Sequence, residues 1–292
     1  MKIWFAWKWW AWKTTLSSLI IKKLSEKYKI LALDLDSNVN LVSSLWLKNT
    51  KNMKYFWPKK DEIMAYTWST QMDDWENRIF LPKKTDWFYD LENKFIKENS
   101  LTEWKITAMS LGFIEDEKRW IESMCDYYEM SKVFMNHIKL KKDEILVADL
   151  AAGIEMISRA TIMSFDLIFV VTDANFKNIK VARQIINWLE MIDFKKDEFF
   201  IIPNKYLDDE DLEIIQNNFS KYNILPWITF SEEIYDLDSE KKLHLWDIVE
   251  LDKAVDKIAE KIIEIKNFKR NVEKRIENRI KFLDEKKAKF LA

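Results

Sequence analysis

Glycine is nearly absent from this chain of 292 residues, and its scarcity limits the folds that the chain can adopt. Only Gly112 and Gly153 occur, beside 15 Trp. Globular proteins use about 7% Gly, or roughly 20 in a chain of this length. Turns, helix ends and phosphate-binding loops need glycine because only glycine adopts φ > 0 freely and lacks a Cβ. The two counts together come to 17, which suggests that tryptophan stands where the fold requires glycine.

The positions of the tryptophans agree with this interpretation. Trp46 follows a helical run where a C-cap glycine is expected, and Trp57 and Trp227 each adjoin a proline, as turn glycines do. Four more lie in polar segments or near a helix end: Trp75, Trp87, Trp104 and Trp188. A gene that encodes glycine as UGA, translated with a code that reads UGA as tryptophan, would give this pattern. The alternatives are deliberate mutation and a genuinely Trp-rich protein with a Trp/Lys membrane-interface segment at its start.

Bulk composition describes an ordinary globular chain. The apolar fraction is 48%, the charged fraction is 33% and the net charge is -2, so the whole molecule does not attract nucleic acid or anionic membranes. A single cysteine, Cys125, excludes an internal disulfide and is typical of a reducing compartment. No apolar run approaches the roughly 20 residues of a membrane helix. We therefore expect a cytoplasmic protein.

Four of the tryptophans fall in one segment directly after a short apolar strand. The segment is Trp7-Lys8-Trp9-Trp10-Ala11-Trp12-Lys13-Thr14-Thr15. With glycine for each tryptophan it becomes GKGGAGKTT, which fits the phosphate-loop pattern G-x-x-x-x-G-K-[ST]. Such a loop wraps backbone N–H groups around phosphate, and the following helix points its positive end at the same anion. The pattern predicts that Lys13 contacts the terminal phosphates of ATP and that Thr14 binds Mg²⁺.

A second lysine, Lys8, makes this loop resemble the deviant Walker A motif of the MinD/ParA class of P-loop ATPases. In that class the first lysine reaches across a homodimer to the partner's nucleotide. The segment 29–41 resembles the second strand and switch I of the class, with Asp36 in place of the residue that orients the attacking water. Ser37 stands where the class usually has proline, which is a mild departure.

Two later segments complete the resemblance, which covers roughly residues 1–250. The segment 145–155 resembles switch II, and places Asp149 near Mg²⁺ and the attacking water; both Asp36 and Asp149 would reach the metal through water. The segment 199–205 is a strand that ends in Asn204-Lys205, the pair that holds adenine in this class. An ordinary strand end is the alternative for this last segment.

The sequence around Asp149 resembles most closely that of CooC-type proteins, the nickel-accessory ATPases of carbon monoxide dehydrogenase. These proteins carry a C-x-C-P metal motif at the dimer interface. Here the segment 123–126 retains only Cys125, so one thiolate from each subunit would supply half of a four-coordinate site. The alternative is a buried, unreactive cysteine. His137 and His244 are isolated in sequence and are interpreted as structural.

Apolar runs and helical patterns alternate along the chain, which predicts a parallel sheet covered by helices. Strands are expected at about 2–6, 29–35, 145–149, 167–172 and 198–203, and helices at 14–27, 125–140 and 175–190. The predicted fold is an α/β three-layer P-loop NTPase sandwich with a mostly parallel sheet and a C-terminal helix. Residues 48–120 are variable in character, with weaker strands near 79–82 and 105–111, and would confer partner specificity.

The C-terminal segment 251–292 is predicted to be a charged amphipathic helix that follows an ATPase domain at 1–250. Ala254, Ile258, Ile262 and Ile265 keep helical spacing, and residues 266–292 hold 10 Lys/Arg against 4 Asp/Glu. One interpretation is a terminal helix that packs one stripe on the domain or on a dimer partner. The other is a membrane-surface helix, which the interspersed acids weaken.

The resemblance implies an ATP-binding, ATP-hydrolysing, Mg²⁺-dependent dimeric switch. The first functional hypothesis is a CooC-type ATPase that matures or inserts a metallocofactor for an unknown client protein. The second is a MinD/ParA-like positioning or partitioning ATPase that acts on a membrane or DNA surface through its C-terminal helix. If the tryptophans of the loop are real, we expect the chain to be inactive.

Overall fold

The computed structural model describes residues 1–6, 13–67, 88–112, 117–150, 155–158, 161–206, 208–229 and 249–266, with the backbone alone described for 117–126, 155, 158, 206, 229, 249 and 250. Several predictions lie outside these residues. They concern the loop residues Trp7, Lys8, Trp9, Trp10, Ala11 and Trp12, the strand near 79–82, the side chain of Cys125 and the tail after Lys266.

Eight strands of the described chain form one sheet, in the order β3-β4-β2-β5-β1-β6-β7-β8, and only the β3–β4 pair is antiparallel. The strands are β1 (Lys2–Ala6), β2 (Lys29–Leu35), β3 (Leu101–Glu103), β4 (Ile106–Ser110), β5 (Glu144–Leu150), β6 (Leu167–Thr172), β7 (Phe199–Tyr206) and β8 (Ile228–Thr229). The central strands are almost continuously apolar and buried, as expected for parallel strands that helices cover on both faces.

The described helices lie on both faces of the sheet. They are α1 (Lys13–Ser25), α2 (Leu41–Ser44), α3 (Lys60–Tyr66), α4 (Lys94–Glu98), α5 (Glu117–His137), α6 (Glu155–Ser158), α7 (Phe176–Met191), α8 (Asp209–Phe219) and α9 (Val249–Ile265). One apolar core joins the sheet to α5, α7 and α8, and a second joins it to α1, α2 and α9. The predicted three-layer α/β sandwich is confirmed.

Local sequence explains where the helices beside the sheet begin. The side chain of Asn175 accepts a hydrogen bond from the backbone N–H of Lys177 and caps α7, and Asp208 caps α8 in the same way through Asp211. The five predicted strands and β4 are confirmed. Helix α5 begins at Glu117, eight residues before the predicted start, and the short strand β3 was missed.

Helix α9 packs against α1 and the sheet. Its buried side chains recur at helical spacing: Leu251, Ala254, Val255, Ile258, Ala259, Ile262 and Ile265. An ion pair of 2.6 Å between Lys23 Nζ and Asp256 Oδ1 joins the two helices at their rim. The helix begins at Val249, and the division of the chain into 1–250 and 251–292 stays a prediction. Within the residues described, no helix is both long and apolar enough to cross a membrane.

Two tryptophans adopt the left-handed backbone conformation that favours glycine. Trp46 has φ 50° after α2, and Trp104 has φ 52° as the first residue of the two-residue turn between β3 and β4. Gly112 shows what such a position demands, because at its φ of 92° an added Cβ would lie 2.5 Å from the Cβ of Tyr55. Large side chains at positive φ are genuine outliers.

Candidate functional site

The carboxyl ends of the central strands meet the first turn of α1 at one edge of the sheet. Strand β1 lies between β5 and β6, so the chain order reverses at this point, which is where open α/β sheets bind ligands. The register of β2 and β5 pairs Asp34 with Asp149. Lys13 and Thr14 begin α1 at the same edge. The topology thus gathers two cationic or hydroxyl donors and several carboxylates from distant parts of the chain.

Lys13 lies at the centre of this group. Its Nζ is 2.8 Å from Asp149 Oδ1 and 3.2 Å from Asp36 Oδ2, and it also donates to the carbonyl oxygen of Leu150. Its side chain is 11% exposed. Burial by itself lowers the pKa of Lys13, but the carboxylates of Asp149 and Asp36 outweigh it and hold the pKa above its ordinary value. Lys13 is therefore a fixed positive charge at neutral pH.

Asp149 is the buried anchor of the group. One of its carboxylate oxygens faces Lys13, and the other accepts a hydrogen bond of 2.7 Å from the hydroxyl of Thr14. Thr15 is also buried, one position further into α1. Because Thr14 and Lys13 belong to the same helix turn, Asp149 fixes the start of α1 against the end of β5.

Asp36 lies in the loop that follows β2. Its Oδ1 accepts hydrogen bonds from the backbone N–H and the side-chain amide of Asn38, at 3.0 and 2.9 Å. Its Oδ2 faces Lys13. Val39, in the same loop, has φ 52°, an outlier for a β-branched residue. The loop therefore presents a carboxylate to the edge of the sheet from a strained backbone.

Asp34 also belongs to the site, and the sequence analysis missed it. It is fully buried, and its carboxylate accepts hydrogen bonds from the backbone N–H groups of Asp36 and Leu41, at 3.3 and 2.9 Å. Burial, and then the charge of Asp149, hold the pKa of Asp34 well above its ordinary range. The period of two along a strand offers a signal, since it places positions 34 and 36 on the same side.

Asn204 and Lys205 lie at the same edge of the sheet but two strands away from β1. Asn204 is 2% exposed, and its side-chain oxygen has no hydrogen-bond partner within the described parts of the chain. Lys205 has φ 55°, at an irregularity in the pairing of β7 with β8. A buried amide oxygen without a partner is costly, and it is ready to accept a hydrogen bond from a ligand.

No protein-family model matches the chain. The chain is 28% identical over 268 residues to an uncharacterized ATP-binding protein of Methanocaldococcus jannaschii, covering 87% of this chain and 95% of that protein. It is 22% identical over 227 residues to the carbon monoxide dehydrogenase accessory protein CooC of Rhodospirillum rubrum, covering 77% and 82% of the two chains.

Solved structures give the fold. The septum site-determining protein MinD of Pyrococcus horikoshii, complexed with Mg-ADP, has a TM-score of 0.64 at 17% identity, covering 91% of this chain and 97% of that chain. A ParA-family ATPase of Chlorobium tepidum has a TM-score of 0.60 at 11% identity, covering 88% and 98%. This chain has the MinD/ParA P-loop NTPase fold.

On the MinD/ParA fold, the structure brings together four of the predicted site residues: Lys13, Thr14, Asp36 and Asp149. Asn204 and Lys205 share their sheet edge without joining their contacts. Lys8 and the loop tryptophans lie outside the described residues, and so does the side chain of Cys125. His137 lies at the end of α5, where its Nδ1 is 2.7 Å from the carbonyl oxygen of Val133 and burial lowers its pKa.

The side chains at the carboxyl ends of the central strands fit Mg²⁺ better than a transition metal. They present oxygen atoms from Thr14, Asp36 and Asp149, which hard cations prefer, and their carboxylates outnumber the single lysine. Among the described residues, no group of three or more His, Cys, Asp or Glu forms a ready-made metal site. This arrangement suits an ion that brings most of its ligands with it as phosphate and water.

Proposed function

We propose that this protein binds ATP with Mg²⁺ and hydrolyses it as a homodimeric switch in the cytoplasm. The observation that carries the proposal is the contact of Lys13 with Asp149 and Asp36, beside Thr14 on Asp149, at the start of α1. The Methanocaldococcus jannaschii relative, which is named as ATP-binding, supports the choice of nucleotide. A charged lysine at a helix N-terminus is the arrangement that attracts a polyphosphate.

In the proposed reaction, water attacks the γ-phosphate in line with the leaving group. Lys13 and, from the partner subunit, the lysine at position 8 offset the charge that develops on the phosphate. Asp36 and Asp149 orient the attacking water. Thr14, with the two aspartates through water, would hold Mg²⁺, and the bound ion would supply charge neutralisation at the phosphates. Hydrolysis then releases the closed state of the dimer.

Asn204 and Lys205 are the proposed adenine contacts. The unpartnered side-chain oxygen of Asn204 supports this role, because the exocyclic amine of adenine is a hydrogen-bond donor. In a chain whose Trp7, Trp9, Trp10 and Trp12 are changed to Gly, Asn204→Ala should weaken ATP binding by about tenfold, the cost of one good hydrogen bond, without changing turnover at saturation. Equal affinity of the variant and the parent would remove Asn204 from the site.

Most tryptophans of the chain are proposed to be glycines in the native protein. The positive φ of Trp46 and Trp104 supports this, because a glycine adopts that conformation without strain. Trp4 gives the idea the least support, since it is 1% exposed in β1 and packs 6.3 Å from Phe165, centroid to centroid. Mass spectrometry of the protein from its native host should find glycine at position 7. Tryptophan found there would contradict the recoding.

A pair of ATP titrations tests the function and the recoding together. One uses the chain as written, and the other a chain with Trp7, Trp9, Trp10 and Trp12 all changed to Gly, here called the glycine form. We expect only the glycine form to bind and hydrolyse ATP, because a phosphate loop needs positions without a Cβ where its backbone approaches phosphate. Equally tight binding by both chains would refute the recoding. Failure of the glycine form to bind would refute the function.

The proposed cellular role is metallocofactor maturation or insertion of the CooC type, supported by the similarity to CooC and by Cys125. The alternative is a positioning or partitioning ATPase, supported by the fold shared with MinD and ParA. Nickel that binds to the ATP-bound dimer and is lost on Cys125→Ser would favour maturation. ATP-dependent binding to anionic vesicles or to DNA that needs residues 267–292 would favour positioning.

A further inference from the structure

The loop between β2 and α2 is held at both ends by one buried side chain. Asp34 accepts a hydrogen bond from the backbone N–H of Asp36 at the start of the loop, and another from that of Leu41 at its end. The carbonyl oxygen of Asp34 also accepts from the backbone N–H of Leu111, which fixes Asp34 itself to the neighbouring β4 side of the sheet. The loop is therefore closed by a carboxylate that does not move with it.

Inside this closed loop the backbone is strained. Val39 has φ 52°, where a β-branched side chain is strongly disfavoured, and its N–H donates to the carbonyl oxygen of Asp36 at 3.0 Å. Strain of this kind persists only where the surrounding contacts over-determine the conformation. Here the contacts that oppose it are those of Asp34 at the two ends and those between Asp36 and Asn38.

We infer that Asp34 is a positioning residue, which clamps the strained loop so that the carboxylate of Asp36 stays beside Lys13 and Asp149. The inference rests on the proposed function, because it gives Asp36 its role in orienting water. Asp34 itself is not a catalytic residue. It is fully buried, and two backbone N–H groups of the loop already occupy its carboxylate.

The first test is amide hydrogen exchange on the chain as written, with the variant Asp34→Asn. The amide side chain keeps one acceptor oxygen but turns donors toward a backbone N–H, so one end of the loop loses its partner. The amide of Leu41 or of Asp36, whichever the new NH2 group faces, should exchange about tenfold faster, as expected for the loss of one net hydrogen bond. Unchanged exchange at both amides would overturn the clamp.

Glu144→Gln is the matched control. Glu144 is 1% exposed at the other end of the sheet, and its carboxylate accepts a backbone hydrogen bond of 2.7 Å from Lys141. The same chemical change is thus made at the start of β5, far from the loop. Exchange at Leu41 and Asp36 in this control should equal that of the parent. An equal acceleration in both variants would mean general loosening of the sheet, and would overturn a specific role for Asp34.

The second test measures ATP hydrolysis in the glycine form. Asp34→Asn should lower kcat about 10- to 100-fold and change KM less than threefold, because the loop misplaces Asp36 without touching the nucleotide. Faster exchange with an unchanged kcat would overturn the positioning role. A glycine form that does not hydrolyse ATP would overturn the proposed function instead, and the exchange data would still decide whether Asp34 clamps the loop.

Val39→Gly provides the rescue. Glycine removes the strain that opens the loop, so adding Val39→Gly to Asp34→Asn should restore much of the protection lost at Leu41 or Asp36 and part of kcat. A purely structural defect in the sheet would not respond to a change at the loop tip. Protection and kcat that stay low in the double variant would overturn the link between Asp34 and the strain at Val39.

Discussion

Two partly buried lysines lie at opposite ends of the central strands, and their pKa values are shifted in opposite directions. Lys13 faces Asp149 and Asp36, which hold its pKa above the ordinary value despite burial. Lys2 begins β1 at the other edge, where its ammonium donates to the carbonyl oxygen of Met135 and burial lowers its pKa to about 8, against the weaker opposing effect of Asp166. Burial costs both lysines free energy, so the difference lies in the carboxylates nearby.

The comparison separates the proposed nucleotide site from a structural contact. At the edge of Lys13, three aspartates accompany one lysine, an excess of buried acid that folding alone does not need. At the edge of Lys2, one Asp166 accepts the backbone N–H of Lys2 at 2.7 Å, and the nearby amino group of Met1 has a pKa lowered by burial to about 6. Charge arranged at a cost to stability is typical of functional sites, which supports the proposed nucleotide site around Lys13.

The largest effect that tests this comparison is the loss of Lys13. In the glycine form, Lys13→Ala should lower kcat for ATP hydrolysis at least 100-fold, because it removes a fixed positive charge where negative charge develops. Lys2→Met is the matched control and should leave kcat within twofold. Phosphate release at saturating ATP measures both. Equal turnover in Lys13→Ala and the parent would remove Lys13 from the mechanism. Neither lysine would then contribute to ATP hydrolysis.

Asp36→Asn separates binding from hydrolysis at the same edge. The amide keeps the shape of the side chain but loses the charge that orients water, so in the glycine form the variant should retain ATP and lose most turnover, about 10- to 100-fold. Equilibrium titration with ATP and single-turnover hydrolysis measure the two properties. A variant that loses affinity and turnover in proportion would show that Asp36 acts in binding.

The next effect concerns Lys2 and the free energy of unfolding. Its folded pKa of about 8 lies below the ordinary 10.5, so between these pH values the unfolded chain binds more protons and stability rises with pH. The free-energy cost of burying the charged Lys2 ammonium is fully present below pH 8. Lys2→Met should remove it, raising the free energy of unfolding at pH 7 by about 2 kcal/mol after the loss of one hydrogen bond. Urea titrations at pH 7 and pH 10 should show the two proteins converging; a constant difference would contradict the lowered pKa.

The smallest expected effect concerns backbone strain at Trp104, which lies away from the proposed site, unlike the strain at Val39. Trp104→Gly should raise the free energy of unfolding by about 1 kcal/mol without changing kcat, since Trp104 is 72% exposed in a turn at the edge of Lys2. The adjacent Lys105, which lacks a positive φ, is the control. Lys105→Gly should not stabilise the protein. Thermal unfolding of both variants decides, and destabilisation by Trp104→Gly would count against glycine at that position.

Sequence alone predicted the strands whose residues are buried on both faces, because such strands read as continuous apolar runs. It also predicted Asp36 and Asp149, since polar residues directly after such runs lie at the carboxyl edge of a parallel sheet. It missed β3, whose three residues carry too short a pattern to recognise, and it placed the start of α5 too late.

The period of two along β2 could place Asp34 on the same side as Asp36, but its contact with Leu41 depends on the three-dimensional fold. Its position inside an apolar run is that of a strand residue, and only the fold brings the N–H of Leu41 back to its carboxylate. Likewise, nothing in the sequence distinguishes Lys2 from an exposed lysine, whereas in the structure its ammonium reaches the end of α5 at Met135. Hydrophobic periodicity in the sequence gives no information about contacts between residues that are far apart in the chain.

The packing of α9 has a consequence for how the end of the chain can be used. Seven side chains of this helix fill a core that also contains the inner face of α1, the helix that begins with Lys13. Exposing those side chains by detaching α9 would cost roughly 1.5–3 kcal/mol for each large one, and the sum is comparable to the whole stability of a typical domain. Residues 249–265 are thus an integral part of the core, and a truncation that removes them would uncover the inner face of α1, the helix that carries Lys13.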